Sequence, residues 1–259
     1  MKHVGKFITA ILILTAIFLR LFYQGEEKPG EIIDEILSTV KENSYLDEEF
    51  YMEGDFLRYG GAKHMIGIDV STHQGEIDWQ QVADSGVEFA ILRAGYRGST
   101  KGELYEDEYF TENFRGAKKA GIKVGVYFFS QALNEEEARE EARYLQKLLK
   151  GKELELPAFF DWEYLEGRVP SARAVPMTEM AVAFCEEVQE AGLKAGVYFN
   201  RDYGDNYLDL SKLQSYTLWL AEYANIPRAS YHFHCLQYTD RGTVPGIEGK
   251  VDLDLLILP

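Results

Sequence analysis

The sequence predicts an α/β fold: a modified (β/α)8 TIM-like barrel, some of its helices short or missing, preceded by an N-terminal transmembrane helix. Three observations lead there. Eight apolar runs of strand length recur between residues 65 and 256. Stretches with helical spacing separate most of them, the alternation of a parallel sheet wrapped by helices. A longer apolar run near the N-terminus is flanked by charges.

The N-terminal run comes first. Lys2 and Lys6 precede "FITAILILTAIF", and "LRLFY" continues it to Tyr23. As a helix, residues 7–23 extend about 25 Å, slightly short of a hydrocarbon core of about 30 Å. Arg20 can snorkel to the interface, with Phe22 and Tyr23 as aromatic anchors. No small-x-small site precedes the polar "QGEEKPG", so an uncleaved single-pass anchor is expected, with a cleaved leader as the alternative. The charge asymmetry places the rest of the chain outside the cell membrane. Residues 24–64 read as a polar stalk, in which "EIIDEILSTVKEN" spaces its aliphatic residues along one helical face. Residues 65–259 read as the barrel domain.

The eight candidate strands are residues 65–70, 89–94, 123–129, 156–163, 194–199, 217–222, 233–238 and 251–256. "WQQVADSG" follows the first. "DEYFTENFRGAKKAG" ends at Gly121, where a helix C-terminus places glycine. "NEEEAREEARYLQKLLKG" opens with Asn134 as N-cap and acids in its first turn. "PMTEMAVAFCEEVQEAG" ends at Gly192. The later connections are short, which is where helices are expected to be missing. A doubly wound open sheet is the structural alternative.

Composition narrows the function. The 43 acidic and 27 basic residues leave a formal charge of -16, which repels nucleic acid. The two cysteines, Cys185 and Cys235, form no disulfide framework and no zinc pattern, and two buried thiols account for them more simply than one bridge. His232 and His234 share a strand face, but no further ligands follow at metal spacing, so no metal is expected. No cofactor is expected either: there is no nucleophile elbow, no Walker loop and no glycine-rich dinucleotide turn. Nothing in the sequence sets the oligomeric state.

In such barrels chemistry sits where strands end. Asp69 ends the first strand and Asp161 and Glu163 the fourth, while Asp252 opens the eighth. Asp161 and Glu163 project to one side, about 6.6 Å apart at Cα by a rise of about 3.3 Å per residue. Trp162 faces the other way. Two carboxyls crowded into a dry site cannot both ionise, which yields one proton donor and one anion, the pair glycoside cleavage needs. For a bare D-x-E, a strand-end turn whose acids cap a helix is the more economical reading. Arg93 is a charge inside an apolar run and needs an acidic partner, for which these acids are the natural choice. Tyr96, Tyr127, Tyr198 and Trp219 fit the core and a sugar-stacking mouth equally well. Gln237 ends the seventh strand.

Four stretches taken together resemble the glycoside hydrolase family 25 lysozymes, the Chalaropsis-type muramidases. "GIDVSTHQGEIDW" (67–79) is similar to the family's opening signature and "FFDWEY" (159–164) to its D-x-E strand. "LWLAEY" (218–223) and "LQYTDRGTVPGIEGKVDLD" (236–254) are similar to its C-terminal part. The resemblance spans residues 65–257. It implies hydrolysis of the β-1,4 bond between N-acetylmuramic acid and N-acetylglucosamine in peptidoglycan glycan strands. It implies Glu163 as general acid, with Asp161, Asp69 and Asp252 as the other acidic positions. Arg93, Tyr96, Tyr127, Tyr198, Trp219 and Gln237 are the expected substrate contacts. The resemblance is compatible with Asp161 orienting the substrate's own 2-acetamido group, with a direct Asp nucleophile, and with an inverting route through water. Many members carry wall-binding repeats. Here the sequence stops after its last strand, and the membrane anchor is expected to hold the domain at the wall instead. The alternatives are a non-catalytic peptidoglycan-binding barrel and a hydrolase of another N-acetylated glycan such as chitin.

Overall fold

The computed structural model describes residues 40–169 and 171–258. The apolar run 7–23 and most of the helical pattern after residue 31 lie outside them. Among the described residues no helix is long and apolar enough to cross a membrane.

Residues 41–258 form one unit around a closed eight-stranded barrel. A hairpin comes first, β1 (Phe50–Glu53) and β2 (Phe56–Tyr59). The barrel strands are β3 (His64–Val70), β4 (Phe89–Arg97), β6 (Lys123–Ser130), β7 (Ala158–Trp162), β8 (Ala195–Asn200), β9 (Thr217–Ala221), β10 (Cys235–Gly242) and β11 (Val251–Ile257). The short β5 (Leu104–Glu106) folds back on the end of β4. Every candidate strand of the sequence is present, with its ends shifted by a few residues. Seven run parallel, from β3 through β10, but β11 is antiparallel to both β10 and β3 and closes the barrel between them. This departs from the simple alternating pattern. Residues 243–250 are too few for a parallel crossover, which takes a dozen or more. The reversal brings the start of β11 to the same rim as the ends of the other strands, with Asp252 beside Asp69 in register.

Five helices flank the strands: α1 (Trp79–Asp84), α2 (Phe110–Lys119), α3 (Glu135–Leu148), α4 (Met177–Glu190) and α5 (Arg201–Asn206). Asp78 caps α1 by accepting from the Gln80 and Gln81 amides, and Asn134 caps α3 through the Glu137 amide. Gly121 and Gly192 follow α2 and α4 with φ of 78° and 79°, the left-handed backbone that ends a helix. Helices α3 and α4 lie side by side, joined by Arg139 to Glu186 and by Gln146 to the Glu187 carbonyl.

Two apolar cores result, separated by the barrel wall. Leu92, Val124, Phe160 and their neighbours face the helices. Met65, Phe89, Ile91, Phe159 and Leu256 fill the interior. Gly67 makes room for the Phe89 ring, since a Cβ there would stand 2.2 Å from it. Cys185 and Cys235 are both free, one in each core.

The described end of the expected stalk, residues 41–64, is part of this unit. No described helix follows β9 or β10, so the outward residues Ile68, Leu236, Tyr238, Leu253 and Leu255 lack a helical cover. The N-terminal segment supplies it. Phe50, Leu57 and Tyr59 are buried, the Leu57 amide donates to the Tyr238 hydroxyl, and Tyr45 donates to the Phe233 carbonyl at 2.7 Å. The segment burying this sheet face resists being a free tether, because detaching it exposes several large apolar side chains to water.

Candidate active site

A cavity of about 890 Å³ opens at the rim where the parallel strands end. All ten residues expected at the site line it. Alternation along the strands explains why. Asp69, Arg93, Tyr127, Asp161, Tyr198, Gln237 and Asp252 are inward positions toward the rim ends of their strands, one from each strand but β9. Trp162 points outward, its indole donating to the Ala132 carbonyl.

The acids sit in a field that favours their protonated forms. Burial raises Asp161 well above the usual carboxylate range, the neighbouring Glu163 charge raises it further, and Arg93 opposes both. Burial also raises Glu163, which stands half-buried just past β7. Asp252 is pushed up to about 6 by burial and by the charges of Asp240 and Glu163. Asp69 is raised by burial and by Asp252 and Asp254. The Asp161 Oδ1 atom is buried without a hydrogen-bond partner among the described residues.

Backbone contacts hold Glu163 in place. The buried Gln131 donates from Nε2 to the Glu163 carbonyl at 2.6 Å. The Arg168 amide donates to the Ser99 carbonyl at 2.8 Å, tying the loop after β7 to the loop after β4. Arg97 supports that second loop from behind, bonded to Glu141, Glu140 and the Gly102 carbonyl. The two loops therefore form one wall of the cavity.

Arg93 does not pair with the cavity acids as expected. Its Nε donates to Asp107 at 2.8 Å, and the same Asp107 oxygen accepts from the Thr72 amide. Asp107 lies just after β5, an element absent from the sequence reading, so its approach to Arg93 was not visible. The aromatic residues divide into two groups. Trp219, 1% exposed, packs edge-on against Tyr127, Phe159 and Tyr198 and forms the floor. Tyr96 stacks on Tyr105 at 5.2 Å on the rim. Gln237 bonds Asp69 through Nε2 at 2.7 Å, and its Oε1 accepts from Tyr198 and Tyr223.

Three contributors were not singled out from the sequence. Tyr223, 57% exposed, is the last letter of "LWLAEY". Asp107 is the second. Asp254 is the third, and the same D-x-D spacing that aligns Asp161 with Glu163 sets it two residues from Asp252. His232 and His234 lie before β10, at the far end of the barrel, where His234 Nδ1 accepts from the Leu218 amide. Among the described residues no cluster of His, Cys, Asp and Glu is arranged to hold a metal.

This disposition of acids on a closed barrel coincides with a known family: residues 68–247, more than half of the chain, match the model described as glycosyl hydrolases family 25. The chain belongs to that family. Within family 25, it is 31% identical over 192 residues to the autolytic lysozyme of Clostridium acetobutylicum, a match covering 73% of this chain and 55% of that protein. The modular autolysin LytC of Streptococcus pneumoniae superposes with a TM-score of 0.64 at 28% identity, over 74% of this chain and 46% of LytC. LytC is also known in complex with a synthetic peptidoglycan ligand. A family 25 glycosyl hydrolase from Bacillus anthracis shares the fold, with a TM-score of 0.62 at 23% identity over 81% of this chain and 95% of that one. The chain spans about half the length of the first two relatives. The family resemblance read from the four sequence stretches is borne out.

Proposed function

We propose that the cavity hydrolyses the β-1,4 bond between N-acetylmuramic acid and N-acetylglucosamine of peptidoglycan, with assistance from the substrate's 2-acetamido group. The convergence of four raised acids on one cleft, with Asp161 Oδ1 left unpartnered, carries the reading. An acetamido N–H is the donor that oxygen lacks. Accepting it favours Asp161 as an anion and leaves the proton of the pair on Glu163. Glu163 protonates the departing glycosidic oxygen while the acetamido oxygen attacks the anomeric carbon from the opposite face. The resulting oxazolinium ring is opened by water, whose proton returns to Glu163. Membership of a family whose named relatives are an autolytic lysozyme and an autolysin supports the substrate class.

Incubating the full chain with peptidoglycan, then reducing the new chain ends and hydrolysing, is expected to yield muramicitol. Glucosaminitol as the product, or cleavage of chitin alone, overturns the assigned bond. Binding to the wall with no new ends replaces the enzyme with a peptidoglycan-binding barrel.

The same reading places the enzyme on the outer face of the cell membrane, held by residues 7–23. The apolar run and the lysines before it support this. The full-length protein is expected to sediment with membranes after a high-salt wash and to be released by detergent. Recovery from the culture medium at full length overturns the tether.

A further inference from the structure

The cavity extends past its acids onto an arm that lies outside the barrel. β4 pairs with β3 only as far as Leu92, while its other edge stays on β6 through Tyr96. The edge that β3 vacates is taken by β5, with Tyr96 opposite Tyr105 and Arg97 opposite Leu104. The resulting hairpin stands above the end of β3, where Asp107 accepts from the Thr72 amide. Ser99, Lys101, Glu103, Tyr105 and Glu108 of this arm line the cavity, with His73 beside them.

The arm is preformed. The Gly98 amide donates to the Glu103 carbonyl at 2.9 Å and the Gly102 amide to the Gly98 carbonyl at 3.0 Å, closing the turn that carries Lys101. Arg97 holds the same turn from behind by donating to the Gly102 carbonyl at 2.7 Å. Its lining is charged, whereas a strand of N-acetylated sugars is neutral and asks for aromatic faces and hydrogen bonds. The acids of the proposed reaction lie on or just past the barrel strands, so the charges of the arm are not part of it. Arg93 is taken by Asp107, and Arg97 by Glu140 and Glu141. Lys101 lines the cavity, is exposed and forms no ion pair among the described residues. In a chain with a formal charge of -16, it is a cation left for an anionic ligand.

We propose that the arm is a subsite for the peptide that muramic acid bears on its lactyl group. Lys101 takes a peptide carboxylate, and the stacked Tyr96 and Tyr105 rings cover the alkyl groups beside it. The proposal rests on the reading of the cavity as a peptidoglycan site and names the part of that substrate the arm selects. The charges give the ligand class. In peptidoglycan the peptides carry the carboxylates and the amine of a diamino residue, and the arm presents both signs, Lys101 with Glu103 and Glu108. A preformed turn loses little freedom when the peptide docks. The arm adjoins the loop that carries Glu163, joined to it by the Arg168 amide and the Ser99 carbonyl. That contact sets the subsite next to the sugar on which the acid acts.

Binding separates the subsite from the reaction. The full chain is titrated with N-acetylmuramyl tripeptide and with the methyl amide of N-acetylmuramic acid, which is the same sugar without peptide or charge. The tripeptide is expected to bind about 10-fold tighter, through one charge-assisted contact and the alkyl packing beside it. Lys101→Glu is expected to cut that ratio about 5-fold, and about 0.5 M NaCl to lower it in the wild type, as for an exposed ion pair. Equal affinities for the two ligands in the wild type, or a ratio that Lys101→Glu leaves unchanged, overturn the subsite. A loss of chitotetraose binding in Lys101→Glu as large as the loss of tripeptide binding also overturns it and assigns the arm to sugar. In kinetics, wild-type kcat/KM is expected to be about 10-fold higher on peptidoglycan than on the same glycan stripped of peptide by an amidase, a preference that Lys101→Glu reduces. Equal cleavage of both by the wild type overturns the subsite. Tight tripeptide binding with neither substrate cleaved upholds the subsite and removes the reaction.

Discussion

Glu163→Gln is expected to lower kcat by about 10²- to 10⁴-fold, the range ascribed to a positioned general acid, with KM little changed. The amide keeps the size and the polar contacts of the carboxyl but has no proton to give the leaving oxygen. The fold does not depend on this side chain, which stands half-buried at the rim and is held through its backbone carbonyl by Gln131. The pH profile provides a second readout. Wild type should lose activity toward high pH as Glu163 ionises and toward low pH as its partner acid gains a proton, giving a bell with an acidic optimum. The residual rate of the variant should lose the basic limb. Unchanged activity in Glu163→Gln, or a wild-type rate flat from about pH 4 to about pH 8, removes Glu163 from the proposed role.

Trp219→Ala is expected to cost about 3–5 kcal/mol of folding stability, measured by urea unfolding. The indole fills the barrel interior among Tyr127, Phe159 and Tyr198, and its removal opens a cavity that rigid strands cannot close. It also strands Asp254 Oδ1, whose donor is the indole N–H. Trp219→Phe retains most of the apolar volume yet loses that bond, and a smaller loss of about 1–3 kcal/mol is expected. A sugar-stacking platform gives the opposite pattern, a raised KM with stability intact. The sequence left Trp219 open between core and platform, and its 1% exposure favours the core.

The strands were legible because a two-residue alternation is a property of the chain itself. Each inward apolar position between residues 65 and 256 declares its partner two residues on, whatever the neighbouring strand is doing. The same rule brought Asp161 and Glu163 to one side and, applied once more, would have aligned Asp254 with Asp252. The antiparallel return of β11 was also within reach, since residues 243–250 cannot span a parallel crossover. What alternation does not carry is which strand lies next to which. Arg93 demanded an acid, but Asp107 supplies it only because β5 folds back onto β4.

By itself, then, the sequence determined the barrel's strands, the helix caps at Asn134, Gly121 and Gly192, and the family signature with its acids at strand ends. Tertiary structure alone decided that the segment after residue 41 covers the helix-free side, that Arg93 turns away from the acids, and that Gln237 of β10 donates to Asp69 of β3. The division follows from range. Periodicity and capping act over a few residues of one chain segment, whereas the pairing of a buried charge depends on which distant segments barrel closure brings within about 3 Å of it.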